Sequence, residues 1–128
     1  MIIRRPLLAL AILIMAFAGC AAPNQNDAWR QATTTINATS PMASRITGFY
    51  VQNGQRHEIA SDLPFTLTQT GLSEVEIRKV NLNDTVTLET RCEHPERKLS
   101  FANMAAGPGV PGVRVELRKG FSVENLKK

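Results

Sequence analysis

Arg45-Ile46-Thr47-Gly48-Phe49-Tyr50-Val51-Gln52-Asn53-Gly54-Gln55-Arg56-His57-Glu58-Ile59-Ala60 is the stretch that decides the fold. Its first half is rich in β-branched and aromatic residues, the composition of a strand. Asn53-Gly54 follows, the pair that suits a two-residue hairpin turn, because both central residues there take positive φ. The second half can then return antiparallel. Downstream the same period-two pattern repeats. Phe65-Thr66-Leu67-Thr68 alternates after a break at Asp62-Leu63-Pro64. Val75, Ile77 and Lys79 share one face of the next strand, with Glu74, Glu76 and Arg78 on the other. A turn at Asn81-Leu82-Asn83-Asp84 leads to Val86, Leu88, Thr90 and Cys92, which alternate with Thr87, Glu89 and Arg91. Leu99 and Phe101 mark a short strand. Val113, Val115 and Leu117 alternate with Arg114, Glu116 and Arg118, and Phe121 and Val123 add a last one.

Turn signals therefore recur about every ten residues, which is the spacing of an all-β sandwich or barrel. The expected fold is a small antiparallel β-sandwich or barrel of about seven to eight short strands. Each strand has one apolar and one charged face, so most should be half exposed. Residues 45–128 form this domain. Residues 20–44 read as a flexible tether, because large apolar residues are few and Asn, Thr, Ser and Pro dominate. Trp29 stands apart within it. With Ala32 and Ile36 it would line one face of a short helix, although Thr33-Thr34-Thr35 argue against that helix. Trp29 either docks on the domain or anchors a partner, as exposed tryptophans often do.

The first twenty residues carry the clearest functional signal. Arg4 and Arg5 precede an apolar run from Leu7 to Ala18, and Phe17-Ala18-Gly19-Cys20 closes it. A charged head, a short apolar middle and a small-residue exit make a secretory signal peptide, residues 1–19. The run has 12 residues, too few for a bilayer span, which takes about 20. The ending resembles the lipobox of bacterial lipoproteins, Leu-Ala/Ser-Gly/Ala-Cys, with Phe17 where Leu is usual. That resemblance implies cleavage before Cys20 and acylation of its thiol and new amine. Ala21, in place of Asp, points by the same resemblance to the outer membrane. Two or more acyl chains give stable anchoring where one is marginal.

Composition narrows the rest. The formal net charge is +4, from 15 basic and 11 acidic side chains. Loss of Arg4 and Arg5 with the signal brings it to +2, so the charge gives little reason to expect a nucleic-acid partner. The C-terminal cations Arg114, Arg118, Lys119, Lys127 and Lys128 read as a solvated strand face and tail, with acidic lipid headgroups as the sharper reading. With Cys20 acylated, Cys92 is left as a single thiol, read first as a small buried hydrophobe.

Catalytic motifs are absent. Met104-Ala105-Ala106-Gly107-Pro108-Gly109-Val110-Pro111-Gly112 is a glycine-proline loop without the Gly-Lys-Ser/Thr ending of a phosphate loop. Gly71-Leu72-Ser73-Glu74 lacks the second glycine of a nucleophile elbow. Cys92 and His94 have the i, i+2 spacing that would put both on one strand face. Two ligands are too few for a metal unless His57 or a carboxylate joins them. The loop is unusually apolar. It either folds over the core or offers Met104 and Val110 to a partner, as loops on rigid sandwiches do.

The expectation is a non-enzymatic lipoprotein anchored in the outer membrane and facing the periplasm. It would need no cofactor, metal, nucleic acid or small-molecule substrate, and would serve as a structural or assembly factor for an envelope or secretion complex. In layout it is similar to accessory lipoproteins of secretion machines such as pilotins. The alternative is an envelope-displayed ligand-binding or enzyme-inhibitor module, including an exclusion-type factor.

Overall fold

In the computed structural model, residues 25–96 and 98–127 are described. A 3-10 helix, Gln25–Gln31, leads into nine strands: β1 Thr33–Thr39, β2 Arg45–Gln52, β3 Gln55–Asp62, β4 Phe65–Thr70, β5 Leu72–Lys79, β6 Val86–Glu93, β7 Leu99–Ala106, β8 Gly112–Glu116 and β9 Ser122–Asn125. They form two antiparallel sheets, ordered β4-β1-β6-β7 and β3-β2-β5-β8-β9. The fold is a small β-sandwich and not a closed barrel.

The hairpin forms as its sequence requires. β2 pairs with β3 from Arg45↔Asp62 to Gln52↔Gln55, and Asn53 and Gly54 both have positive φ, 50° and 80°. The strand faces of β5, β6 and β8 are also those the alternation indicates. Val75, Ile77, Val86, Leu88, Cys92, Val113 and Val115 point into the core. On the outer face of the five-stranded sheet, Arg114 pairs with Glu74, Glu76 and Glu116. Arg78 pairs with Glu76 at 2.7 Å and Arg56 with Glu58 at 2.6 Å. Exposed pairs of this kind contribute about 0.2–1 kcal/mol each. The stability comes from the apolar layer between the sheets.

The expected domain boundary at residue 45 moves. β1 lies inside the segment read as tether, and it is a central strand, hydrogen-bonded to β4 on one side and β6 on the other. Thr34, Ile36 and Ala38 are buried on its inner face. Its outer face is a hydroxyl ladder: Thr33 meets Thr70 at 2.7 Å, Thr35 meets Thr68 at 3.2 Å, and Thr66 donates to Asn37 at 2.7 Å. Threonine is β-branched, so a row of them favours a strand that its low hydrophobicity disguises. In place of the one-sided helix that Thr33-Thr34-Thr35 argue against, a 3-10 turn is followed by a strand, and Trp29, Ala32 and Ile36 enter the core by that route.

β7 differs as well. Leu99 and Phe101 were expected to mark a short strand. The strand runs eight residues, and Met104 belongs to it, not to the loop. Leu99 and Phe101 are 52% and 55% exposed, while Met104 and Ala106 turn inward. Apolar residues occupy both alternations of this strand, so its own pattern does not choose a face.

Thr90 sits at 0% exposure on the inner face of β6, and its Oγ1 is the buried side-chain polar atom without a hydrogen-bond partner among the described residues. An orphaned buried hydroxyl costs about 1–3 kcal/mol, whereas an apolar group of the same shape is tolerated. Thr90→Val is therefore expected to stabilise the domain by about 1 kcal/mol. A urea titration should show a higher midpoint at unchanged slope. A lower midpoint would mean that the hydroxyl has a partner.

Candidate functional site

The topology gives the sandwich two chemically unlike ends. At one, the 3-10 helix, the Asn53-Gly54 turn and the segments 94–98 and 117–121 come together. Gly71 N–H donates to Ala32 O at 3.1 Å, Asn53 N–H to Gly71 O at 3.3 Å and Leu117 N–H to Ser73 O at 3.0 Å. The opposite end is closed by segments 40–44, 63–64, 80–85 and 107–111, whose single charged residue is Asp84. Three large apolar side chains are exposed there: Met42 at 48%, Val80 at 58% and Leu82 at 46%.

These turns sit on a buried hub of Lys79 and Asp84. Lys79 ends β5 on its inward face. Its Nζ donates to Asp84 O and Gly107 O, both at 2.6 Å, and to Leu82 O and Ala106 O, both at 3.2 Å. Asp84 is also buried and accepts a 2.5 Å bond from Ser44 Oγ. One ammonium thus ties segment 80–85 to segment 107–111, and its neighbouring carboxylate ties in segment 40–44. Gly109 N–H to Leu82 O at 3.0 Å and Val80 N–H to Arg45 O at 3.2 Å complete the connection. Burial lowers the Lys79 pKa below its ordinary value, and the charge of Asp84 opposes that shift. Beside the hub, Ala43, Arg45, Asp62, Leu63 and Val80 line a groove of about 490 Å³. The arrangement holds exposed apolar side chains on a rigid, hydrogen-bonded base. That suits recognition of a surface.

The residues singled out from the sequence fall as follows. Trp29 is a core residue, 8% exposed, with Arg30 stacked over its ring at 4.6 Å, so it is not an exposed partner anchor. Met104 and Val110 are half-buried and packed against the core. Only Val110 belongs to the apolar end. Cys92 is a buried free thiol, with Sγ 3.8 Å from His94 Nε2. Burial pushes its pKa up, against a hydrogen bond with Thr34 that lowers it, so it stays a weakly nucleophilic thiol. His57 stacks on Tyr50 with ring centroids 4.8 Å apart. Among the described residues there is no cluster of three or more His, Cys, Asp or Glu placed to hold a metal ion. Signal residues 1–19 and Cys20 lie outside the described residues. Met42, Val80 and Leu82 escaped the sequence reading because a lone apolar residue in a turn gives no periodic signal.

Fold and site together define a class, a two-sheet antiparallel β-sandwich with exposed apolar side chains at one end and exposed cations at the other. No family model, curated protein or solved structure matches the chain.

Proposed function

We propose that this chain is a bacterial envelope lipoprotein, held at the outer membrane by acyl chains on Cys20, that acts without catalysis as an assembly factor for an envelope complex. The observation that carries this reading is the apolar run Leu7–Ala18 closed by Gly19-Cys20, a few residues before the first described element, Gln25–Gln31. Residues 20–24 reach at most about 17 Å when extended. The domain would therefore be held close to the bilayer by its N-terminal end. The other end, with Met42, Val80 and Leu82 over the Lys79 hub, would face away from the bilayer toward a protein partner with an apolar, uncharged surface.

A ligand-binding module is the second reading, and one observation favours it. The outer face of the four-stranded sheet carries a groove of about 350 Å³ lined by Thr33, Thr35, Asn37, Glu89, Arg91, Glu93 and Phe101. An exposed aromatic ring beside hydroxyls and the charges of Glu89, Arg91 and Glu93 suits a small polar ligand.

Crosslinking and copurification of the full-length chain from its own cells separates the two readings. An assembly factor should bring down stoichiometric envelope subunits that are lost with Cys20→Ala and weakened with Leu82→Asp. The same soluble partner with and without Cys20, or no partner at all, would overturn the assembly reading in favour of the module. Absence of acylation at Cys20 by mass spectrometry would overturn the anchor.

A further inference from the structure

The N-terminal end has the opposite character from the apolar one. The described residues that close it, in 28–31, 94–96, 98 and 117–121, carry Arg30, Lys98, Arg118 and Lys119 against Glu96. Between them the two sheets part to leave a cleft of about 290 Å³. Its floor is apolar, formed by Trp29, Leu117 and Phe121, and Cys92 and His94 line it too. Arg118 and Lys119 are exposed at its rim. An aromatic floor under a cationic rim fits a group that is anionic at one end and apolar at the other. The volume is at the small end for ligand sites, about 300–1,000 Å³, and suits a headgroup better than a whole lipid.

We infer that this cleft is a headgroup site, which seats an anionic phospholipid of the bilayer and fixes the domain's orientation on the membrane. Two observations choose the occupant. Cations outnumber anions at this end, which suits an anionic surface, while at the opposite end the turns hold only the negative Asp84, Arg45 is paired with Asp62 at 2.7 Å, and Lys127 follows Leu126, whose N–H donates to Gly112 O. The chain also leaves this end toward Cys20, so on the lipoprotein reading, on which the inference rests, the cleft is the part of the sandwich nearest the lipid. Near an anionic leaflet each Lys or Arg strengthens attachment by roughly 5-fold. The site would thus add an orienting contact to acyl chains that by themselves leave the domain free to tumble.

The test uses the mature chain from residue 20 with Cys20→Ser, which retains all nine strands and the whole core. Its cosedimentation is compared on vesicles of phosphatidylcholine alone and with about one third phosphatidylglycerol, an anionic content that gives a strongly negative surface. Binding should appear only with phosphatidylglycerol and fall by roughly 25-fold in Arg118→Gln/Lys119→Gln. Lys127→Gln/Lys128→Gln removes the same charge past β9 and should change it little. The fluorescence of Trp29, the single tryptophan, should shift with binding in the first protein and not in the rim variant. Equal binding to both vesicles, or equal loss in the two double variants, would overturn the site. Binding to a soluble acidic protein and not to vesicles would overturn it too. Because Cys20→Ser removes the acyl chains from the assay, failure here leaves the anchor standing, and that has its own test in the acylation of Cys20.

Discussion

Lys79→Met is expected to lower the unfolding free energy by about 3–5 kcal/mol, the cost of removing one partner from a buried charged network. The methionine would fill most of the volume and keep the apolar stem. It would not replace the donors. Four carbonyls, those of Leu82, Asp84, Ala106 and Gly107, would lose the ammonium they share. The buried Asp84 carboxylate would keep its bond from Ser44 and lose the charge interaction with Lys79. The damage should centre on segments 80–85 and 107–111, so amide exchange there should rise before the sheets open. Wild-type stability carries a pH signature as well. The folded pKa of Lys79 lies below that of the unfolded chain, so between the two values the unfolded state binds more protons. This group's contribution is full above the ordinary value of 10.5 and is lost as pH falls through the folded pKa. That alkaline slope should vanish in Lys79→Met. Urea titrations of both proteins across the alkaline range check both effects, and a variant within about 1 kcal/mol of wild type would show that the carbonyls find other donors.

Gly48→Ala should cost about 3 kcal/mol and is the backbone counterpart of the first result. Gly48 lies in β2 opposite Ile77 of β5, with φ 155°. A Cβ there would fall well inside van der Waals contact with the backbone carbonyl of Glu76. That atom belongs to the central strand of the five-stranded sheet, so it cannot swing away as a side-chain tip would. β2 would have to part from β5, which strains the inner layer around Ile46 and Ile77. Gly107→Ala is the control: a Cβ there meets nothing within 4 Å and φ is unremarkable. Thermal melts should show a large fall for the first and almost none for the second. Equal melting temperatures would mean that the sheet adjusts at little cost.

Much of this was legible in the residues, and the illegible parts share one cause. The hairpin at Asn53-Gly54 and the faces of β5, β6 and β8 follow from turn chemistry and period two, which act over a few residues. Even the inward aim of Lys79 is visible in its alternation with Val75 and Ile77. What that charge does once inside is not, because its acceptors come from positions 82, 84, 106 and 107. Strand β1 looked like linker because its inner residues are Thr34, Ile36 and Ala38, small enough to resemble a polar tract. Of the two readings of Trp29, docking on the domain is the one its burial fits, and the choice was open for a related reason: a tryptophan in a polar segment looks exposed until the sheet that covers it is known.

By itself, the sequence determined the β class, the antiparallel hairpin and most strand faces, since each rests on chemistry between near neighbours. Only the tertiary structure decided that Thr33–Thr39 is a central strand, that β7 turns Met104 and Ala106 inward, and that one end is apolar over a buried lysine while the other is basic. Those outcomes depend on which segment lies across the sheet or beside the turn, and hydrogen-bond pairing and burial between distant residues supply that information only once the whole chain has packed.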